Sequence, residues 1–348
     1  MRYHTSRADI PDTLCSLASN QRIQGANSVP RIAILDDYQN TALDCADWTS
    51  IPGEPEIVVF RDAFTSEDAA AEALAQFDIL VLMRERTPMP ASLIARLPKL
   101  QLLVTTGMRN LAVDMQAARA RGVPVCGTAL LPYAAFEHAW ALILALTKRI
   151  PEADRLMREG GWQPGVSDGL NGKTLGVLGL GKLGARTARV AHAFDMRVIA
   201  WSQNMTDEQA AAHGAVRVDK DTFFRESDII TIHLILSDRS RGLVGKQELA
   251  LMKPTALLVN TSRGPIVDEA ALIDALCSGA IGGAGLDVYD HEPLPADHRL
   301  RSVPNTVLSG HTGYVMQENY ALSYSEAVED IKAWLGGKPI RVLNEESP

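Results

Sequence analysis

The stretch LGVLGLGKLG, residues 175–184, combines a short apolar run with a glycine-rich turn. Gly179, Gly181 and Gly184 have the G-x-G-x-x-G spacing of a dinucleotide-binding turn. The first glycine allows the tight turn, the second lets the backbone approach a pyrophosphate, and the third lets the following helix pack on the strand. A helical pattern follows the turn, and the strand-like run MRVIAW comes about twenty residues later, which is the context this motif needs. The alternative, a glycine turn that binds nothing, fits this context less well.

Strand-like and helix-like segments alternate on both sides of this turn. Short apolar runs with the composition of buried strands are RIAILDD, EIVVF, DILVLM, LQLLVTT and VPVCG before it, and MRVIAW, DIITIHL, ALLVNT, GAGLDV and TVLSG after it. Helical patterns such as SEDAAAEALAQF lie between most of them. This alternation predicts an α/β protein with two doubly wound parallel-sheet domains.

We expect a polar extension over residues 1–29, a first domain over 30–126, and a dinucleotide-binding domain over 127–316. The extension lacks the apolar core of a secretory signal, so we interpret it as a tail or as an arm on a neighbouring subunit. The run AAFEHAWALILALTKRI is apolar nearly all round, which predicts a helix buried between domains or in a subunit interface.

Composition limits the partners of the chain. It has 348 residues and a formal net charge of −8, which predicts no general attraction to nucleic acid or to anionic lipid. Local positive groups must therefore hold any anionic substrate. The cysteines Cys15, Cys45, Cys126 and Cys277 are far apart, which indicates reduced thiols in a cytoplasmic protein and no structural metal. No apolar run reaches the length of a membrane span.

Three reactive side chains each follow a strand-like run: Arg263 in ALLVNTSRG, Glu292 in GAGLDVYDHEP and His311 in TVLSGHTG. Ligands of open parallel sheets bind beyond the carboxyl ends of the strands, so these residues can meet in one crevice. Arginine can hold a carboxylate, histidine can exchange a proton near neutrality, and a carboxylate beside it stabilises the imidazolium. Together they suit hydride transfer to a small oxo acid. Taken singly, each could be a surface or structural residue.

The choice of cofactor depends on the end of MRVIAW. An acidic residue that binds the adenosine ribose normally stands there, whereas this chain has Ser202, Gln203 and Asn204. A reader of the NADP 2′-phosphate usually adds an arginine, and none follows in this run. We therefore predict NAD and leave NADP open.

The motifs LGVLGLGKLG, LLVNTSRGPIVDEAALIDAL, GAGLDVYDHEPLP and LSGHTGY resemble those of the D-isomer-specific 2-hydroxyacid dehydrogenases, in the phosphoglycerate dehydrogenase-like branch. The resemblance covers roughly residues 31–340. It implies a flavodoxin-like substrate domain with an inserted Rossmann cofactor domain, so that residues 317–348 return to the first domain. It also implies a dimer that uses the long apolar helix.

The resemblance further assigns roles to individual residues. Arg263 is the implied substrate clamp, His311 the acid/base and Glu292 its partner. The implied cofactor contacts are Gly179, Gly181, Lys182, Leu183, Ser202, Thr261, Asp287 and Gly313.

Two departures from the family pattern leave the substrate open. An arginine, Arg109, replaces a glycine in the run after LQLLVTT that begins at Gly107. Arg84 and Arg86 occupy the other expected substrate loop, MRERTP. We predict these four residues as substrate contacts, although the arginines could equally bind a second acidic group or support a loop. The alternatives are an NADPH-linked glyoxylate or hydroxypyruvate reductase and, in another class, a dinucleotide-sensing binding protein such as the corepressors that share this fold.

Overall fold

The computed structural model describes residues 29–345, which form two sheets of parallel strands with helices between them. The predicted α/β class is confirmed. The extension expected over residues 1–29 lies outside the described residues, except for Val29. No described helix is long and apolar enough to cross a lipid bilayer.

The first sheet has five strands in the order β2-β1-β3-β4-β5, which is the flavodoxin-like order. The strands are β1 (Arg31–Ile34), β2 (Glu56–Val59), β3 (Ile79–Leu82), β4 (Leu102–Thr105) and β5 (Val125–Gly127). The helices in this part of the chain are α1 (Glu67–Leu74), α2 (Ala91–Ala95) and α3 (Met115–Ala120). Strand order reverses between β1 and β3, so the loops that follow these two strands open a crevice.

The second sheet has seven strands in the order β12-β11-β10-β9-β6-β7-β8. Its strands are β6 (Thr174–Leu178), β7 (Arg197–Trp201), β8 (Val216–Arg217), β9 (Ile229–Ile232), β10 (Leu257–Asn260), β11 (Gly283–Leu286) and β12 (Thr306–Leu308). The helices that follow α3 along the chain are α4 (Ala134–Thr147), α5 (Ile150–Arg158), α6 (Lys182–Ala193), α7 (Asp207–Ala211), α8 (Lys220–Glu226), α9 (Lys246–Leu251), α10 (Glu269–Cys277) and α11 (Gln317–Leu335). This is the Rossmann order with one further strand, and it reverses between β6 and β9, beside the glycine turn.

Helices α4 and α11 pack on different sheets. Helix α4 buries Trp140 and Ile143 in the same core as Leu175 and Val177 of the second sheet. Helix α11 returns to the first sheet, where its apolar stripe packs with residues of β1, β3 and β4. The spacing of Tyr320, Tyr324, Val328, Ile331 and Leu335 in the sequence predicts an apolar helical stripe. On α11 the first four of these residues are buried and Leu335 is partly buried.

Candidate active site

The loops after β10, β11 and β12 bring the three predicted catalytic side chains together. Arg263, Glu292 and His311 line one cavity of about 880 Å³. The opposite wall comes from the first sheet and includes residues 84–88 of the loop after β3. The cavity therefore lies between the carboxyl ends of the two sheets, where ligands of such folds bind.

His311 and Glu292 form a close pair. The Nδ1 atom of His311 lies 2.6 Å from Glu292 Oε2. The other carboxylate oxygen, Oε1, accepts a hydrogen bond from the backbone N–H of Tyr289 at 2.9 Å. A ring that donates from Nδ1 to the carboxylate presents Nε2 as the nitrogen that can meet a substrate.

Asp287 holds the loop that carries His311. Its side chain is buried, and its Oδ1 atom accepts hydrogen bonds from Ser309 Oγ at 2.6 Å and Thr312 N at 2.8 Å. Its Oδ2 atom accepts a hydrogen bond from Gly313 N at 2.8 Å. These bonds fix both sides of His311, whose backbone has the left-handed φ of 54°. Asp287 and Gly313, both predicted cofactor contacts, are thus bonded to each other.

A histidine of helix α4 completes this network. The Nε2 atom of His138 lies 3.2 Å from Asp287 Oδ1 and 2.8 Å from Ser309 Oγ. Burial of Asp287 opposes its ionisation, but the hydrogen bonds from His138 and Ser309 outweigh burial and lower the pKa of the carboxyl. The loop of His311 is therefore anchored on a carboxylate that stays charged.

The side chain of Asn260 holds the loop that carries Arg263. The side chain of Asn260 donates to the carbonyl of Arg263 at 2.9 Å and accepts from Ser262 N at 3.0 Å. The Nη1 atom of Arg263 donates to Ser262 O at 2.7 Å. Its Nη2 atom crosses to the first sheet, where both carboxylate oxygens of Glu85 lie 3.2 Å away.

The predicted substrate residues divide into two groups. Arg84 and Arg86 line the cavity, and Gly107 and Arg109 do not. Arg86 Nη1 donates to Asp36 O at 2.7 Å, and its guanidinium stacks on the Tyr38 ring with its carbon 4.3 Å from the ring centroid. The Arg86 contacts hold the loop between β3 and α2 against the loop after β1.

Arg84 lies against the turn that contains Gly107. Its Nη1 atom donates to Thr106 O at 3.2 Å, and a Cβ atom at Gly107 would lie 1.9 Å from that nitrogen. Gly107 has a φ of 104°, which favours glycine, so this residue makes room for the guanidinium. Arg109 is exposed outside the cavity.

The glycine turn after β6 fits a pyrophosphate. Gly179 has a φ of 97°, and a Cβ atom at Gly184 would lie 2.2 Å from Gly179 O, so both positions need glycine for their own packing. A Cβ atom at Gly181 would meet nothing within 4 Å, so this position opens onto free space at the start of α6. Backbone N–H groups at a helix start attract phosphate. The nearby His233 is neutral at pH 7, because burial lowers its pKa to about 4.

Two cations lie beside the end of β7, near Ser202. Neither was predicted from the sequence. Arg217, in the neighbouring strand β8, pairs with Asp207 at 3.2 Å. Lys220 lies 5.9 Å from the centroid of the Trp201 ring and pairs with Glu248 at 2.7 Å. Each cation thus already has a carboxylate partner. Strand β8 was not predicted, so its position next to β7 could not be inferred.

Sequence reasoning also missed two residues of the cavity. Glu85 stands between two arginines in the run MRERTP, and this alternation of charge was the available signal. Tyr314 lines the cavity, and its ring centroid lies 5.5 Å from that of His311. Its buried hydroxyl finds no hydrogen-bond partner within the described range. Burial raises the pKa of this phenol, so it stays protonated and can donate.

Among residues 29–345, no group of three or more His, Cys, Asp or Glu side chains is arranged to hold a metal ion.

The chain is similar to several known dehydrogenases and reductases. The family model described as D-isomer specific 2-hydroxyacid dehydrogenase, NAD binding domain, matches residues 140–313. The glyoxylate reductase of Aeropyrum pernix is 40% identical over 265 residues, which cover 73% of this chain and 79% of that protein. The D-3-phosphoglycerate dehydrogenase of Synechocystis is 35% identical over 79% of this chain, which spans 50% of that longer protein. The crystal structure of a phosphoglycerate oxidoreductase from Vibrio cholerae O395 matches with a TM-score of 0.84 and 36% identity, over 89% of this chain and 100% of that one.

Proposed function

The chain belongs to the D-isomer-specific 2-hydroxyacid dehydrogenase family, and we propose that it reduces a small 2-oxo acid with NADH and oxidises the D-2-hydroxy acid in reverse. The observation that carries the proposal is the His311–Glu292 pair, 2.6 Å apart, on the same cavity wall as Arg263. A proton donor, its charged partner and an anion-binding group are the protein groups that this reaction needs.

The roles of the three residues follow from their chemistry. Arg263 binds the substrate carboxylate through its guanidinium. The Nε2 atom of His311 gives a proton to the carbonyl oxygen as the alcohol forms, and takes it back in the oxidation. Glu292 holds Nδ1 of the ring and stabilises the imidazolium. As negative charge develops on the carbonyl oxygen, the His311 ring, which Glu292 already orients, donates its proton there.

NADH, when bound, supplies the hydride. We propose that the N–H groups of Gly181, Lys182 and Leu183 hold the pyrophosphate, with Gly179 shaping the turn, because Gly181 opens onto free space at the start of α6. Ser202, directly after β7, is the proposed ribose contact. Thr261, Asp287 and Gly313 are proposed around the nicotinamide. The pairing of Arg217 with Asp207 and of Lys220 with Glu248 supports NADH over NADPH, because both cations are already neutralised.

The substrate is proposed as a short 2-oxo acid. The Aeropyrum relative is named a glyoxylate reductase, and the Synechocystis relative a phosphoglycerate dehydrogenase, so the family name alone leaves the side chain of the acid open. Arg84 and Arg86 reach the cavity while they hold its loop. Gly107 acts through the position of Arg84, whose guanidinium it accommodates, whereas Arg109 is exposed outside the cavity and is not kept as a substrate contact.

We further propose a homodimer in the cytoplasm. Apolar side chains stand exposed along α5 and the segment after it, among them Ile150, Met157, Trp162 and Val166, and Val166 is 96% exposed. Such a surface, continuous with α4, suits a subunit interface. Sedimentation velocity of the full chain tests this state.

A panel of 2-oxo acids, each with NADH and with NADPH, tests the function directly. We expect nicotinamide oxidation with at least one acid, and a higher kcat/KM with NADH. A preference for NADPH would favour the NADPH-linked reductase. NADH binding without turnover of any acid would favour the dinucleotide-sensing binding protein.

A further inference from the structure

Glu85 and Arg263 join the two sheets across the cavity. Glu85 follows β3 of the first sheet, and Arg263 follows β10 of the second. Both oxygens of the Glu85 carboxylate lie 3.2 Å from Arg263 Nη2, and the two side chains are 21% and 33% exposed. The guanidinium that we propose as the substrate clamp is therefore already in contact with a carboxylate of the protein itself.

The Nη1 atom of Arg263 donates to the carbonyl of Ser262, which ties this nitrogen of the guanidinium to its own loop. Nη2 is the guanidinium nitrogen that reaches across the cavity, and Glu85 contacts that nitrogen. A substrate carboxylate and the Glu85 carboxylate have the same charge and the same acceptor geometry, so they compete for this nitrogen. The two carboxylates therefore cannot both make their best hydrogen bonds to Arg263 Nη2.

A second cation stands beside Glu85. Arg84 Nη2 lies 3.4 Å from Glu85 Oε2. Arg84 is fixed by hydrogen bonds from its backbone N–H to Thr106 Oγ1 and from its Nη1 to Thr106 O. The Arg84 side chain is only 16% exposed, and this burial lowers the pKa of its guanidinium. If the Glu85 carboxylate leaves Arg263, it therefore keeps its ion pair with Arg84, a cation that water solvates poorly.

We propose that Glu85 occupies the substrate carboxylate position on Arg263 until the substrate displaces it onto Arg84. Glu85 thereby acts as a specificity-determining residue. An acid gains net affinity only when its other contacts, such as its oxo group on His311, outweigh the lost Glu85–Arg263 pair. The proposal rests on the proposed function, because it assumes that Arg263 is the clamp.

Binding of oxalate, measured by titration calorimetry on the NADH-saturated full chain, tests the proposal without needing turnover. Glu85→Gln removes the competing charge, so oxalate should bind roughly three- to tenfold more tightly than to the wild type. Glu85→Asp keeps the charge but is one methylene shorter and cannot hold Arg263 at the same distance, so its affinity should rise as well. The matched control is Glu67→Gln, because Glu67 also lines the cavity but bonds Ser92 and faces Arg96. It should leave oxalate binding unchanged.

Other outcomes overturn the proposal. Unchanged or weaker oxalate binding in Glu85→Gln would mean that Glu85 does not compete for the position. A gain in Glu85→Gln with wild-type affinity in Glu85→Asp would reduce the effect to the field of a nearby charge, without displacement. If oxalate binds neither the wild type nor the variants, Arg263 does not bind a substrate carboxylate. Failure of the proposed function is a separate result: no 2-oxo acid is turned over, whatever the oxalate affinities are.

Discussion

Gly264 and Tyr289 touch backbone to backbone. A Cβ atom on Gly264 would lie 2.0 Å from the carbonyl carbon of Tyr289 and 2.1 Å from its oxygen. Gly264 follows Arg263, and Tyr289 donates its N–H to Glu292. The absence of a side chain at Gly264 therefore sets the distance between the loop of Arg263 and the loop that carries Glu292.

Gly264→Ala should force these loops apart. The obstacle is backbone, which cannot rotate aside, so we expect a loss of about 1–3 kcal/mol in the free energy of unfolding. We also expect a fall in kcat/KM of at least about tenfold, since small misplacements of catalytic groups are costly. Denaturant unfolding and steady-state kinetics measure the two effects. Gly169→Ala, where a Cβ meets nothing within 4 Å, is the control, and equal behaviour of both variants would contradict the prediction.

His311→Ala should lower kcat by about 10²–10⁴, the usual range for loss of a general acid. NADH affinity, measured by fluorescence, should persist because the glycine turn lies elsewhere. His291→Ala is a matched control, since His291 lines the same cavity on the loop of Glu292. Turnover near the wild-type rate in His311→Ala would remove His311 from the mechanism.

Arg263→Lys keeps the positive charge but loses the planar guanidinium. We expect kcat/KM to fall by about tenfold or more with every 2-oxo acid that the wild type uses. Arg301→Lys is the comparison, because Arg301 lines the cavity but donates to the carbonyls of Leu294 and Pro295. If the Arg301 variant loses more activity than the Arg263 variant, the carboxylate is held at Arg301 instead.

Ser202→Asp should move cofactor preference further toward NADH. The new carboxylate would accept a hydrogen bond from the ribose 2′-OH and repel a 2′-phosphate, and a charge-assisted hydrogen bond contributes roughly 1.5–3 kcal/mol. The ratio of kcat/KM values for the two cofactors should therefore shift by about tenfold or more. A wild type that already prefers NADPH would show that Arg217 or Lys220 leaves its carboxylate partner to bind the phosphate.

Asp330→Asn should change how stability depends on pH. Asp330 is buried with one oxygen on Arg341 Nε at 2.9 Å, while Glu326 and Glu329 face the same arginine. Burial raises the pKa of Asp330 from 3.8 to about 7, so between these values the folded protein keeps a proton that the unfolded chain has lost. Stability therefore decreases as pH rises through this window, and the penalty is complete above the folded-state pKa.

The wild type should lose about 1.4 kcal/mol through this group between about pH 6 and pH 8, and Asp330→Asn should lose little. Denaturant unfolding of both proteins at the two pH values gives the difference. Glu318→Gln, which changes an exposed acid in the first turn of α11, should keep the wild-type slope, because Glu318 lies about three turns away from Asp330. Parallel pH profiles for wild type and Asp330→Asn would contradict the assignment.

Alternation of strands and helices was enough to predict the α/β class, because buried parallel strands are apolar throughout and stand out in the sequence. Strand β8 was missed because its two residues, Val216 and Arg217, are exposed and too few to show a pattern. The apolar stripe of α11 predicted a helix, but the spacing of apolar residues does not indicate which sheet the helix packs on. Its packing on the first sheet depends on contacts with residues almost 300 positions away, such as Tyr320 with Gln39.

The predicted trio meets in one cavity because each residue follows a strand, and parallel strands end at one edge. Contacts between side chains on opposite walls of the cavity could not be predicted from the positions of the strands. The pairing of Glu85 with Arg263 depends on how the two sheets face each other, which no local pattern records. In the same way, the bonds of Asp287 to both flanks of His311 come from the folding of two loops.

The return of α11 to the first sheet has a consequence for synthesis on the ribosome. The strands of that sheet emerge first, yet the helix that covers one of its faces is made only after the whole seven-stranded sheet. Ile32, Ile34, Val81 and Val104 thus stay without their covering helix while more than half of the polypeptide is still being translated. The second sheet can therefore complete its core before the first sheet is covered, so the nascent first sheet exposes apolar surface for longer than the second.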